Sequence, residues 1–208
     1  MFTTLLNFCS NDLSAFYFDI RKDCIYCDSI NSSKRRSART LLNLIFEHLI
    51  RWLAPSLSFT CEEAWKARGK KTSIHLEDFL STKKEFKNEG ISKKWNIIKN
   101  IRKVITGAIE KQRAEKIIGS SLEAHINIYV KEDIKNQIEN ISFDEIAITS
   151  SFEIFTLNND ISYFSIEEIE GVEVQVIKVE GHKCNRCWKF KKELINNDIC
   201  QRCEDAIN

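Results

Sequence analysis

The sequence is poor in residues that break regular structure, with one proline and six glycines among 208 residues. Its longest apolar stretch, residues 41–57, contains Glu47, His48 and Arg51, so we expect no membrane span. The first residues lack a basic region followed by an apolar one, so we expect no secretory signal and a cytoplasmic chain. Internal repeats and low-complexity tracts are also missing. A composition of 43% hydrophobic and 29% charged residues is typical of an ordinary globular protein.

No catalytic constellation is recognisable. The histidines at positions 48, 75, 125 and 182 are scattered, and none lies in an H-E-x-x-H motif. The pair Gly69–Lys70 lacks the upstream glycine that a phosphate-binding P-loop requires. The sequence therefore predicts no catalytic residue in this chain.

Charge is unevenly distributed, although the net charge is only +1. Residues 1–130 carry 22 Lys and Arg against 14 Asp and Glu, and residues 181–208 carry 6 against 4. Residues 131–180 carry 3 against 12. We therefore expect contacts with phosphates to lie outside the acidic middle segment.

Helical periodicity dominates the first half of the chain. Apolar residues recur at i, i+3, i+4 and i+7, which predicts helices over residues 3–19, 33–53, 55–67 and 92–115. Pro55 is expected to end one helix and open the next. We assign residues 1–116 to a helical bundle.

Alternating polarity follows Gly119. The alternation predicts strands over residues 123–130, 145–149 and 172–176, with a short helix over 131–140. We assign residues 117–180 to a small α/β module and residues 181–208 to a terminal knuckle. The predicted fold class is mainly α with this small α/β module.

Four cysteines in the knuckle follow a C-x2-C…C-x2-C pattern. Each pair brings two thiolates onto one turn, and twelve intervening residues let the pairs meet as the S4 tetrahedron that Zn2+ prefers. We therefore predict one structural Zn2+ on Cys184, Cys187, Cys200 and Cys203. Two disulfides are the alternative, and the missing secretion signal disfavours them. His182 is a weaker competing ligand.

A second C-x2-C, formed by Cys24 and Cys27, has no partner pair nearby. It is either a redox or second metal site or a pair of incidental small apolar residues. We favour the second interpretation.

Two basic patches suggest contact with RNA. The first opens the long helix, where free backbone N–H groups add to the side-chain charge. The second lies on the knuckle, where a tryptophan beside cations on a rigid turn offers a stacking platform for an unpaired base. The alternatives are a solvated helix start and a tryptophan that caps the small knuckle core. The candidate RNA contacts are Arg35, Arg36, Arg39, Lys183, Arg186, Trp188 and Lys189.

Four segments together resemble the C-terminal end of bacterial isoleucyl-tRNA synthetases. They are FYFDIRKDCIYCD (16–28), RRSARTLLNLIFEHLIRWLAPSLSFTCEEAW (35–65), IEKQRAEKIIGSSLEA (109–124) and KCNRCW…CQRC (183–203). The resemblance covers nearly the whole chain and keeps the segment order. The part RWLAPSLSFTCEEAW of the second segment resembles the anticodon-binding helical bundle shared by related class I synthetases, and the C-N-R-C-W zinc motif narrows the resemblance to the isoleucine enzymes.

The resemblance implies a class I anticodon-binding bundle with a zinc tail that together grip the anticodon stem-loop of tRNA(Ile). The family joins isoleucine to that tRNA with ATP and Mg2+, but the HIGH and KMSKS motifs of its catalytic domain do not occur here. We therefore expect a truncated, monomeric fragment that is inactive without the missing catalytic part. We expect ATP and Mg2+ to be cofactors of the full-length enzyme only.

Two alternatives remain open. One is a free-standing RNA-binding factor derived from a synthetase tail. The other is a zinc-scaffolded protein-interaction module whose working surface is the acidic segment 131–180.

Overall fold

The structure, a computed structural model, describes residues 2–158 and 162–207. These residues form two compact units. The helical unit is Ile30–Asn88, and the sheet unit comprises the residues up to 29 and from 89 onward. The predicted fold class is confirmed, since the chain is mainly helical with a small sheet and a cysteine cluster near its end.

The helical unit is built on two helices, α3 (Ser33–Leu53) and α4 (Ser58–Ala67). The Ser32 hydroxyl accepts the Arg35 backbone N–H and so caps α3, as serine commonly does at helix starts. The helix predicted over 33–53 is confirmed. The next helix begins later than predicted, because Pro55 lies in the turn between the two. The buried core consists of Ile50, Ala54, Cys61, Trp65 and Ile74.

The sheet unit begins with a long helical stretch. This stretch comprises α1 (Phe2–Asn7), a π-helical part (Phe8–Phe18) and α2 (Asp19–Cys27). The helix predicted over 92–115 is α5 (Glu89–Ala114). Its apolar stripe is buried as the periodicity predicts, with Ile98, Ile101 and Ile105 fully inaccessible to solvent.

A three-stranded sheet has β1 (Ala124–Val130) at its centre. On one side lies β2 (Ser151–Thr156), parallel to it, and on the other β3 (Val172–Lys178), antiparallel to it. Two short helices, α6 (Glu132–Ile138) and α7 (Phe143–Ile146), connect β1 to β2.

The strand predicted over 145–149 is wrong. Those residues end α7 and enter a turn in which Ile148 has a φ of 57°, a left-handed conformation that no strand adopts. The strand begins instead at Ser151. The strands predicted over 123–130 and 172–176 are confirmed as β1 and β3.

The two faces of the sheet differ. Ile126, Ile128 and Val174 point inward and share one core with α5. Helix α5 precedes residue 116 and the sheet follows it, and the division into three domains stays a prediction. The outward positions, which we call the outer sheet face, are 125, 127 and 129 of β1, 151, 153 and 155 of β2, and 173, 175 and 177 of β3.

The knuckle closes the described chain with β4 (His182–Lys183), β5 (Phe190–Lys191) and α8 (Gln201–Ile207). The strands β4 and β5 pair antiparallel and present the first cysteine pair on the turn between them. Among the residues that the structure describes, no helix combines the length and apolarity needed to cross a bilayer.

Candidate metal centre and nucleic-acid interface

The four knuckle cysteines converge on one point. Backbone hydrogen bonds close the first turn, with the Cys184 N–H donating to the Lys189 carbonyl at 3.0 Å. All four sulfur atoms lie within 4.8 Å of one another, and all four residues are buried. Tetrahedral bonds of about 2.3 Å to Zn2+ place sulfurs about 3.8 Å apart. The Sγ atoms of Cys187 and Cys200 are separated by 3.8 Å, so the donor set fits a tetrahedral ion.

The surroundings of these sulfurs differ electrostatically. Burial raises the pKa of Cys184, but backbone N–H groups outweigh it and lower the pKa to about 6. One of these donors is the Cys200 N–H, 3.3 Å from the Cys184 sulfur. Burial instead raises the pKa of Cys187 and of Cys203. The backbone thus stabilises the Cys184 thiolate, and a metal would displace the protons of Cys187 and Cys203.

All eight cysteines are free thiols, so the structure contains neither of the two alternative disulfides. Cys27 is buried beside the four-cysteine cluster, with its sulfur 3.8 Å from the Arg186 carbonyl oxygen. Burial, together with the nearby Asp23 carboxylate, raises the pKa of Cys27 to about 11. Its place beside the cluster was not visible in the sequence, because 159 positions separate Cys27 from Arg186.

The knuckle is fastened to α2 by two arginines, an arrangement that we call the clasp. Arg186 donates to the carbonyl oxygens of Cys27 at 2.6 Å and Tyr26 at 3.1 Å, which are acceptors at the C-terminal end of α2. Arg202 pairs with both carboxylate oxygens of Asp23, at 2.8 and 2.9 Å. This bidentate geometry fixes orientation as well as charge. Sequence analysis missed Arg202, which lies 179 positions from its partner.

Lys189 also faces the protein. Only 4% of the residue is exposed, and its ammonium lies 2.6 Å from the Asp144 carboxylate. To reach a phosphate it would have to leave this ion pair. In this structure both Lys189 and the Arg186 guanidinium contact the protein itself, and their predicted RNA contacts stay predictions.

Trp188 points away from the knuckle core. It is 58% exposed, has a φ of 64° and directly follows Cys187, with its backbone N–H donating to the Cys184 carbonyl at 2.9 Å. The Lys183 ammonium lies 5.4 Å from the centre of its ring, within the range of a cation–π contact. Tyr26, 73% exposed, borders the same apolar cleft as Trp188. The exposure of Trp188 argues against a role as a cap for the knuckle core.

A second basic surface lies in the helical unit. Arg36 and Arg39 are exposed on α3, while Arg35 is partly buried. With Arg68 from the end of α4 they line a shallow groove that we call the arginine groove. Arg68 donates to the Asn43 side-chain oxygen at 2.6 Å, and its guanidinium lies 5.5 Å from the centre of the Phe46 ring. Sequence analysis missed Arg68, although it lies in a basic run with Lys66, Lys70 and Lys71.

Comparison with known proteins identifies the family to which the chain belongs. Residues 1–128, more than half of the chain, match the family model described as the anticodon-binding domain of tRNA ligase. The chain belongs to that family. The matched residues include the whole helical unit and the helices α1, α2 and α5 of the sheet unit. The cysteine cluster lies beyond the matched residues.

Isoleucine–tRNA ligases are among the relatives of this chain. That of Pelagibacter ubique is 44% identical over 206 residues, or 99% of this chain and 21% of the relative. That of Bartonella henselae is 43% identical over 91% of this chain and 20% of the relative. That of Ruegeria pomeroyi is 40% identical over 100% of this chain and 22% of the relative. The chain thus spans about a fifth of their length, and the predicted resemblance to this enzyme family is confirmed.

Proposed function

We propose that this chain binds the anticodon stem-loop of tRNA(Ile) and carries one structural Zn2+. The observation that supports this best is Trp188, an aromatic ring 58% exposed on the turn that the cysteine cluster forms. An exposed ring of this kind can stack on an unpaired base, and single-stranded RNA loops are usually read through such contacts. Membership of the anticodon-binding family supports the same partner.

The proposed ligands of the ion are Cys184, Cys187, Cys200 and Cys203. When bound, Zn2+ would hold four thiolates and so fix both turns of the knuckle. The chain's own residues do the binding. Trp188 stacks on a base, Lys183 supplies charge beside it, and Tyr26 forms another aromatic border of the cleft.

The arginine groove supplies the proposed phosphate contacts. Arg36, Arg39 and Arg68 neutralise backbone phosphates, which makes the affinity fall as salt rises. Arg35 is a weaker candidate because it is partly buried. Arg186 and Lys189 hold the knuckle in place and are not part of the proposed RNA contacts.

We further propose that the chain is the tRNA-binding part of an isoleucine–tRNA ligase, whose reaction uses ATP and Mg2+ at residues outside this chain. The eight free thiols suit the reducing cytoplasm in which we place it. It acts as a monomer and contributes no catalytic residue.

Filter binding of a tRNA(Ile) transcript at several salt concentrations tests the proposal. We expect Trp188→Ala to weaken binding by about 1–3 kcal/mol, the usual value of one base stacked on an aromatic ring. Trp188→Phe retains part of that affinity, and the bound zinc stays at one per chain. The matched control is Phe59→Ala, which removes a ring that is 92% exposed in the helical unit. Unchanged affinity in Trp188→Ala would overturn the stacking role, and no binding by the unaltered chain would overturn the function.

A further inference from the structure

The outer sheet face, which the proposed RNA contacts do not use, carries a stack of aromatic rings. Tyr129 on the central strand stacks on Tyr163, with ring centres 4.4 Å apart and planes at 13°. It also stacks on Phe155 of β2, at 5.3 Å and 24°. Phe155 is 37% exposed, so one end of the stack is open to solvent.

Carboxylates border these rings. Glu153 precedes Phe155 by two positions on β2, so both side chains leave the same face of the sheet. Glu173 lies opposite Tyr129 in the β1–β3 register, and its carboxylate accepts the Tyr163 backbone N–H at 2.7 Å. None of the nine outward positions holds a lysine or an arginine. The nine positions therefore present aromatic rings beside two carboxylates, with no lysine or arginine among them.

Polar side chains fix the rest of the face. His125 bonds to the Ser151 hydroxyl at 2.7 Å and to the Asn127 side-chain oxygen at 2.8 Å. Asn127 in turn donates to Gln175 across the strands at 3.2 Å. The hydrogen bond with Tyr163, burial and the Glu153 carboxylate all raise the pKa of Tyr129. The surface is thus preorganised and negative, whereas the opposite face is filled by the core shared with α5.

We propose that the outer sheet face docks an arginine-bearing segment of a protein partner. Arginine matches the surface in two ways, because its planar guanidinium stacks on aromatic rings and pairs with carboxylates. Phosphates are repelled by Glu153, Glu173 and the acidic segment 131–180 around them, so this face is not a second RNA site. The inference is independent of the proposed function, which uses other residues.

Isotope-labelled full chain titrated with a hexa-arginine peptide tests the inference by nuclear magnetic resonance. We expect shift changes in the ring signals of Phe155, Tyr129 and Tyr163 and in the side-chain amide signals of Gln175. A hexa-lysine peptide of equal charge binds more weakly, because an ammonium lacks the planar stacking surface. Glu153→Gln with Glu173→Gln reduces hexa-arginine affinity by about tenfold, the change that 1.4 kcal/mol produces.

The matched control is Glu167→Gln with Glu168→Gln, which removes equal charge from exposed positions in the loop before β3. It leaves the affinity for hexa-arginine unchanged. Equal losses in both double variants would show that charge alone attracts the peptide and would overturn the inference. So would shift changes confined to other parts of the chain, or shift changes at these rings on adding oligo-uridine. If Glu173→Gln disturbs the loop that it holds, Glu153→Gln alone still decides the result. Its affinity for tRNA should equal that of the unaltered chain, which separates this test from the proposed function.

Discussion

The knuckle and the arginine groove both concentrate positive charge, but they direct it differently. At the knuckle, Arg186 and Lys189 face inward and hold the module to α2 and to Asp144. In the groove, Arg36, Arg39 and Arg68 are exposed around a concave surface. We infer that basic side chains on an exposed concave surface are better candidates for RNA contact than basic side chains that face the protein interior.

The largest effect should come from the metal centre. We expect Cys203→Ser to reduce bound zinc from one ion to none and to destabilise the sheet unit, since structural zinc in finger peptides contributes roughly 10–16 kcal/mol. The helical unit should keep its stability. Metal analysis and calorimetry measure the two effects. Cys9→Ser, which alters a thiol outside the cluster, should retain the zinc. Full zinc content in Cys203→Ser would contradict the proposed ligand set.

Lys189→Ala should be the next most damaging change. It leaves the Asp144 carboxylate without its buried ammonium, and losses of about 3–5 kcal/mol are usual for buried pairs. Because Asp144 is itself 23% exposed, we expect a smaller loss, about 2 kcal/mol. Urea unfolding measures it, with exposed Lys191→Ala as a control that should stay within about 0.5 kcal/mol. Equal losses in the two variants would remove the distinction between the knuckle and the groove.

Substitutions in the arginine groove should change tRNA binding more than the free energy of unfolding. We expect Arg36→Ala, Arg39→Ala and Arg68→Ala each to reduce the salt slope of tRNA binding by about 1, as removal of one phosphate contact does. Their unfolding free energies should change by less than about 0.5 kcal/mol. Lys84→Ala, an exposed change elsewhere in the helical unit, is the control. If the three variants keep the full salt slope, the groove does not contact phosphates.

The smallest expected effect is a loss of stability of the helical unit at low pH. Hydrogen bonds from Lys66, from the Ser73 hydroxyl and from the Ile74 N–H lower the pKa of Glu62 from 4.5 to about 2. A lowered pKa means that this stabilisation is present above pH 4.5 and is lost as pH falls towards 2. The melting temperatures of the unaltered chain and of Glu62→Gln should therefore converge over that range. Glu63→Gln is the control, and parallel curves for Glu62→Gln would contradict the assignment.

Local patterns predicted the elements whose burial is periodic. Helices α3 and α5 and strands β1 and β3 follow from regular spacing of apolar residues, because each buries one face. Strand β2 was missed since Phe155 is apolar yet points outward, which breaks its alternation. The segment before it alternates but forms a turn at Ile148.

Only the part of the candidate site that depends on local spacing in the sequence was predictable. The spacing of the four cysteines is local, so it predicted their convergence. The inward contacts of Arg186 and Lys189 depend on Cys27 and Asp144, which lie 159 and 45 positions away in the chain. No spacing rule reaches that far. The same limit hid Arg68, whose groove forms only when α4 folds back on α3.

The clasp has a consequence for the order in which the chain folds. The Cys27 carbonyl oxygen at the end of α2 accepts from the guanidinium of Arg186, which is synthesised 159 positions later. At the usual synthesis rate of about 5–20 residues per second, the donor follows its acceptor by roughly 10–30 s. Closing so long a loop also slows folding, because its entropy is lost before its contacts form. Helix α2 should therefore fray during synthesis and become protected against hydrogen exchange only when the knuckle arrives.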